Sequence, residues 1–466
     1  MGRIDELRRS RQGFVVGLTA ASVGIISGYD LSSTAGALLY LTDGFRLTTH
    51  QQELVITVVV IGEIAGALGG AVLANAIGRK TSMVLVVTAY AVFAVLSAIS
   101  TSVTMLLVVR LLVGVAIGVS LVVVPVYIAE SAPAAIRGSV LVAYQVATVL
   151  GIIAGYLVAY LLASWQNWRA MLGLAAVPAV LVLLLLRRLS GTARWYMLKG
   201  RVREARHALQ RIEPDTDVEN ELAEISRAVE EERGGALTEM LRSPYRRAMI
   251  FVLGLGFLSQ ATGINAIVCY SPRLFEAMHF TGNFALLVLP ALVQVIALAA
   301  VFVAMDLVDR LGRRPILLSG IAMMLAANLL LIWVFVVPSA GAVPTTFGFL
   351  AVLVFTIGYN LGFGALICVY AGESLPSRLR SIGSGAMLAA DRVANALVAA
   401  VFLTMLHALG AGTFALFGLL AAGSFAFVYR LAPETKGRQL EDIRHFWENG
   451  GKPGAEPVIA LSGSRQ

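Results

Sequence analysis

Charge is what this 466-residue chain has least of: 14% of its residues are charged, against roughly 25% in an ordinary globular protein. A soluble protein of this length needs far more polar surface, so that class is excluded. With 58% hydrophobic residues and a mean hydropathy of +0.81, most side chains have lipid or neighbouring helices as their solvent. Cysteine is scarce as well. Cys269 and Cys368 both fall inside apolar runs, which excludes a disulfide framework. The chain also lacks a cysteine–histidine metal spacing, a glycine-rich phosphate loop and a nucleophile–base pair in recognisable context, and its five histidines lie in loops or at helix ends. These absences argue against an enzyme and leave no residues for a metal or organic cofactor. The net charge of +8 does not point to nucleic acid, because membrane proteins keep basic residues in cytoplasmic loops facing anionic lipid.

What is present is apolar length. A bilayer-crossing helix needs about 20 mainly apolar residues. Twelve such runs begin near Phe14, Leu54, Met83, Met105, Val140, Met171, Ala248, Phe284, Pro315, Phe347, Ile382 and Thr413. Each must be helical, since an open strand cannot satisfy its backbone in lipid. The first run has no small-residue cleavage site behind it and reads as a retained span rather than a signal peptide. The 45 glycines suit helices that pack backbone to backbone.

With the N-terminus inside, the cytoplasmic segments collect Arg3, Arg8, Arg9, Arg79, Lys80, Arg137, Arg310, Arg313, Arg314, Arg378 and Arg380, whereas the opposite side offers little beyond Arg46, Arg169 and Arg273. Both termini are therefore expected in the cytoplasm. Arginine outnumbers lysine, the bias of a GC-rich bacterial genome, so the expected location is a bacterial cytoplasmic membrane. Between the sixth and seventh spans, Ser190–Arg247 is charged and helix-forming, broken at Pro214 and Gly234-Gly235. It reads as short amphipathic helices, serving equally well as a spacer or in gating.

The chain repeats itself. Gly78-Arg79-Lys80 follows the second span, and Asp309-Arg310-Leu311-Gly312-Arg313-Arg314 follows the eighth. Glu130-x-x-Pro133-x-x-x-Arg137 follows the fourth span, and Glu373-x-x-Pro376-x-x-x-Arg380 follows the tenth. A parallel repeat of this kind implies two halves related by an axis along the membrane normal, with a site between them at the midplane. The fold class is thus an all-α membrane protein of 12 transmembrane helices in two pseudo-symmetric six-helix bundles. Its expected parts are residues 1–189, a linker 190–247, residues 248–432 and a tail 433–466. Arg79, Glu130, Arg137, Asp309, Arg313, Glu373 and Arg380 are candidate gating residues. Exposed pairs worth about 0–1 kcal/mol bias an open–closed equilibrium without locking it. A purely topogenic role explains the arginines but not the paired glutamates and prolines.

Further pieces make the chain resemble the sugar porters of the major facilitator superfamily along nearly its whole length. They are Gly28-Tyr29-Asp30, Arg110 with Gly114 and Gly118, Pro125-Val-Tyr127-Ile-Ala-Glu130, Arg194-Trp195, Lys199-Gly200-Arg201, Gln260-Ala-Thr-Gly263-Ile-Asn265 and Pro433-Glu434-Thr435-Lys436-Gly437. The resemblance implies alternating access to a sugar or polyol, in a protein expected to act as a monomer among membrane lipids. It places sugar-binding positions at Gln145, Gln260 and Asn265, with Ser259, Tyr270 and Asn395 as further candidates nearby. The chain departs from the family pattern where Ser190-Gly191-Thr192-Ala193 replaces Pro-Glu-Ser-Pro, and where Ser259 stands for a glutamine. Cys269 stands for a tyrosine, Ile152 for a glutamine and Ala297 for an asparagine. Cys368 and Arg392 stand where tryptophans would face sugar. Gln294, about one turn before Ala297, is a candidate replacement. Gln294 and Asn395 read more naturally as interhelical glue.

Ionisable residues inside spans are costly and default to function. Asp30, Glu63, Arg110 and the adjacent Asp391-Arg392 stand out. The resemblance sets Asp30 against Arg110, and an acid held ionised by an arginine takes a proton when the pair separates. Asp30, Arg110 and Glu63 are therefore candidates for proton coupling, the proton being the coupling ion; the alternative for Asp30–Arg110 is a permanent structural ion pair. Arg392 has three expected partners: Glu63, Asp391 or an acidic group on the cargo. The expected function is proton-coupled symport of a sugar or sugar-like solute. The alternatives are a uniporter, an exporter or carrier of an organic acid or drug, and a membrane sensor without transport.

Overall fold

The computed structural model describes residues 11–132, 137–212, 218–231, 245–337, 342–375 and 377–436. Within these, twelve helices are long and apolar enough to cross a membrane: Val15–Phe45, Thr49–Ile77, Arg79–Ala98, Val103–Ser131, Ser139–Ala163, Trp168–Leu186, Tyr245–Cys269, Phe284–Val308, Arg313–Val336, Val343–Glu373, Ile382–Leu409 and Ala411–Leu431. They are the first to twelfth spans, and each overlaps the run expected from sequence. The chain weaves up and down, so Arg11 and Leu431 lie at the same end, called here the base; the opposite end is the far end.

Local chemistry sets the helix starts. At the far end Thr48 accepts from the Gln51 N–H while Gln51 reaches back to the Thr48 N–H, a capping box that opens the second span. Ser102 and Asn167 cap the fourth and sixth spans more simply, their side chains accepting from the Met105 and Ala170 N–H groups. At the base, the second span turns into the third at Gly78 (φ 93°), and the eighth into the ninth at Gly312 (φ 98°). This left-handed backbone is costly for other residues.

Glycine also welds helices within the first half. A Cβ at Gly62, Gly114 or Gly118 would run into the carbonyl oxygen of Leu111, Val59 or Glu63 respectively. The second and fourth spans therefore meet backbone to backbone, as small residues allow in lipid. Three spans of the second half are irregular: the eighth opens on a π-helical turn at Phe284–Val288. The seventh breaks at Thr262–Gly263, where Gly263 has φ 97°, and the tenth carries a π-helical turn at Asn360–Gly364.

The linker is helical over Ala193–Leu198, Val202–Ile212 and Val218–Glu231. Its apolar faces close a small core of Ala193, Ala205, Ala208 and Leu222, consistent with amphipathic pieces. In the exposed Arg201–Glu204 pair, the hydrogen bond from Arg201 holds the Glu204 carboxyl below its usual range.

The halves meet at the far end and partway down. Tyr40 donates to Asn283 Oδ1 (3.0 Å), and Arg273 donates to the Leu38 carbonyl (3.4 Å). Glu53 of the second span accepts from the Thr404 N–H (2.7 Å) and Oγ1–H (2.9 Å) of the eleventh. Deeper in, Tyr156 of the fifth span donates to the Val268 carbonyl of the seventh (2.6 Å). Gln145, Ile152, Tyr156 and Ala159 share one face of the fifth span by helical spacing. The last three are buried, while Gln145, nearest the base, is exposed.

Candidate functional site

Two charge clusters sit inside the spans. In the first, Asp30 (4% exposed) and Arg110 (2% exposed) form a two-pronged pair, with Nη1–Oδ1 and Nη2–Oδ2 each 2.9 Å. Tyr90 of the third span donates to Asp30 Oδ1 (3.3 Å), and Arg110 Nη2 donates to Thr34 Oγ1 (2.5 Å). One carboxylate balances one guanidinium, which lets both ionise out of water. Neither Tyr90 nor Thr34 was expected. Thr34 carries a signal, lying one turn after Asp30 on the same face; Tyr90 carries none.

The second cluster bridges the halves. Arg392 of the eleventh span donates from Nη1 to Glu63 Oε2 of the second (2.8 Å) and from Nε and Nη2 to Asp391 Oδ2 (3.0 and 2.9 Å). The Ser259 hydroxyl of the seventh span shares its one proton between Asp391 Oδ1 (3.0 Å) and the Gly256 carbonyl (2.8 Å). Two of the three expected partners of Arg392 are thus engaged together, and adjacent residues on one helix reach a common point because the long arginine folds back onto its neighbour.

The amide candidates divide. Gln145 is exposed. Gln260 donates to the Tyr359 hydroxyl (3.4 Å), while its Oε1 is buried without a partner. Asn265 is half-buried just beyond the helix break. Gln294 and Asn395 are buried, yet neither makes a hydrogen bond among the described residues; the glue expected of them is not seen. Tyr270 corrects the sequence expectation in the other direction. It is fully buried, donates to the Ala399 carbonyl (2.7 Å) and stacks on Phe402 at 5.4 Å, so it packs the seventh span on the eleventh instead of serving as a binding position. Ser259, fully buried with its hydroxyl proton shared, is likewise withdrawn from that role.

At the base the repeat is more complete than its motifs. Arg79 Nη2 reaches Glu130 Oε1 (2.9 Å), Thr192 Oγ1 donates to Glu130 Oε2 (2.6 Å), and Tyr127 donates to the Ser190 carbonyl (3.0 Å). In the second half Arg313 Nη2 reaches Glu373 Oε1 (3.4 Å), Thr435 donates to Glu373 Oε2, and Tyr370 donates to the Pro433 carbonyl (3.1 Å). The strands of chain leaving the sixth and twelfth spans are thus tied to the fourth and tenth in the same way. Thr192, Thr435, Tyr127 and Tyr370 had no expected role. Their signal is Tyr-x-x-Glu in both halves, with a threonine two residues after Ser190 and after Pro433. The side chains of Arg137, Asp309 and Arg380 lie outside the described residues.

Comparison with known proteins agrees with this architecture. A family model described as "Sugar (and other) transporter" matches residues 16–447. The galactose-proton symporter of Escherichia coli K12 is 32% identical over 441 residues, covering 94% of this chain and 95% of the relative. The arabinose-proton symporter of the same strain is 32% identical over 447 residues, covering 95% of each. Among solved structures, the inward open conformation of the xylose transporter XylE from E. coli superposes with a TM-score of 0.80 at 24% identity, over 94% of this chain and 100% of that one. That last likeness concerns the fold.

Proposed function

Because the chain belongs to the sugar porter family of the major facilitator superfamily, whose members are transporters and not enzymes, we propose that it carries a sugar or sugar-like solute by proton symport. The observation that carries this reading is the buried Asp30–Arg110 pair, one carboxyl group set against one guanidinium. Parting it leaves a carboxylate in an apolar site, which takes a proton. The names of the galactose and arabinose relatives support the same chemistry.

In this reading the bundles 1–189 and 248–432 are the rocking bodies of a monomer in a bacterial cytoplasmic membrane. The base, rich in arginine, faces the cytoplasm, and the Tyr40–Asn283 and Glu53–Thr404 contacts then close the outward side. Gln145, Gln260, Asn265, Gln294 and Asn395 offer amides that both donate to and accept from sugar hydroxyls. Arg392, held by two carboxylates, offers no free cation to an acidic cargo, which favours a neutral one. The ties at Glu130 and Glu373 hold each base in shape as it opens and shuts.

The test is uptake of labelled galactose, arabinose and xylose into proteoliposomes with and without an inward proton gradient. Wild-type protein is expected to accumulate at least one of them against its gradient. Asp30→Asn is expected to lower accumulation while exchange of internal for external sugar continues. Accumulation by Asp30→Asn equal to wild type sinks the coupling reading.

A further inference from the structure

The two intramembrane clusters differ in balance. Asp30 and Arg110 are one carboxylate against one guanidinium, whereas Glu63 and Asp391 are two against Arg392 alone. A charge left over in the membrane interior is costly unless something neutralises it.

The hydrogen bonds say which carboxylate is open. Both oxygens of Asp391 are engaged: Oδ2 accepts from Nε and Nη2 of Arg392, and Oδ1 shares the single Ser259 hydroxyl proton with the Gly256 carbonyl. Glu63, 8% exposed, uses only Oε2, which accepts from Arg392 Nη1; its Oε1 has no partner among the described residues. The charged groups acting on Glu63 are Arg392 and Asp391 from the eleventh span and Asp30 from the first. Tyr144 of the fifth span and Cys269 of the seventh also lie within reach of its charge. Arg110 comes from the fourth span, which packs on the second.

We propose that Glu63 Oε1 is a second proton-binding site and that the transporter moves two protons with each cargo, one at Asp30 and one at Glu63. The inference rests on the symport reading above and adds a stoichiometry to it. On loading, the carboxylate gains a proton as an O–H on Oε1, and the cluster becomes neutral. On release, the proton returns to water and the carboxylate is again held by Arg392. Because Glu63 belongs to one half and Arg392 to the other, rocking changes this balance. Arg392 stays with its sequence neighbour Asp391, and Glu63 is the group whose compensation is lost.

The experiment uses full-length protein in proteoliposomes with the membrane potential clamped to zero and a pH gradient of one unit imposed, the cargo being galactose, arabinose or xylose. Each coupled proton multiplies the equilibrium accumulation by about tenfold per unit. Wild type is expected to reach about 100-fold and Glu63→Gln about tenfold. A wild-type plateau near tenfold overturns the proposal while leaving single-proton symport intact. No proton-driven accumulation at all overturns the symport reading itself. Accumulation that follows a sodium gradient overturns the assignment of the ion.

A readout free of cargo is the infrared carboxyl band of the same vesicles during a pH titration. A band that titrates in wild type and is missing in Glu63→Gln is expected. A band that persists at every pH marks a permanently protonated side chain and overturns the proposal. Should Glu63→Gln fail to fold, the wild-type plateau alone decides.

Discussion

The two bases carry the same frame anchored by different means. In the first half Arg79 and Glu130 are close (2.9 Å) and shielded, with side chains 7% and 9% exposed; in the second, Arg313 and Glu373 are looser (3.4 Å), at 18% and 32%. The second half adds an acid that the first lacks. Glu434 accepts from the backbone N–H groups of Arg313 and Arg314 (3.0 Å each), a carboxylate at the start of the ninth span, where the helix dipole welcomes it. The matching position after the sixth span is Gly191. There Trp195 takes over, its ring lying on Gly78 and its Nε1–H donating to the Asn75 carbonyl (3.1 Å). One latch is thus a shielded ion pair under an indole, and the other a wetter pair under a helix-capping carboxylate. A single fold accepts either, because what must be satisfied is the same set of helix ends.

This contrast can be broken by substitution, the largest effect first. Glu130→Gln strips the partner from a shielded arginine, and about 3–5 kcal/mol of stability should be lost. Glu373→Gln, at the wetter site, should cost about 1 kcal/mol. Equal downward shifts of the unfolding temperature of the two purified variants in one detergent would erase the distinction. Trp195→Ala falls between these two, at about 2 kcal/mol for a half-buried ring, read by the same melt. Glu434→Gln keeps the shape but weakens two charge-assisted caps, for about 1 kcal/mol, and its loss should shrink in high salt whereas that of Trp195→Ala should not. Asp306→Asn removes the pair with Arg310, whose side chains are 60% and 72% exposed. Its melting point should stay within about 0.5 kcal/mol of wild type, a control for charge at the base as such.

Much of this was legible from the residues. Spans announce themselves because lipid forbids most alternatives, and Asp30, Glu63, Arg110 and Arg392 stand out as charges on an apolar background. Their partnership in two clusters was partly readable; its completion was not. Tyr90, Thr34, Thr192 and Thr435 are neutral polar residues of a common kind, and only three-dimensional packing selects them. Glu53 was passed over because it lies near a helix start, where a carboxylate ordinarily meets water. The structure instead buries it between the halves against Thr404. Tyr270 was misjudged because the break at Gly263 resets the helical phase, so spacing counted from Gln260 does not carry across it.

The glycine contacts between the second and fourth spans have a mechanical consequence. Helices that touch carbonyl to backbone cannot slide past one another without collision. The second and fourth spans are therefore one mechanical unit, and any tilt of the first half carries both together.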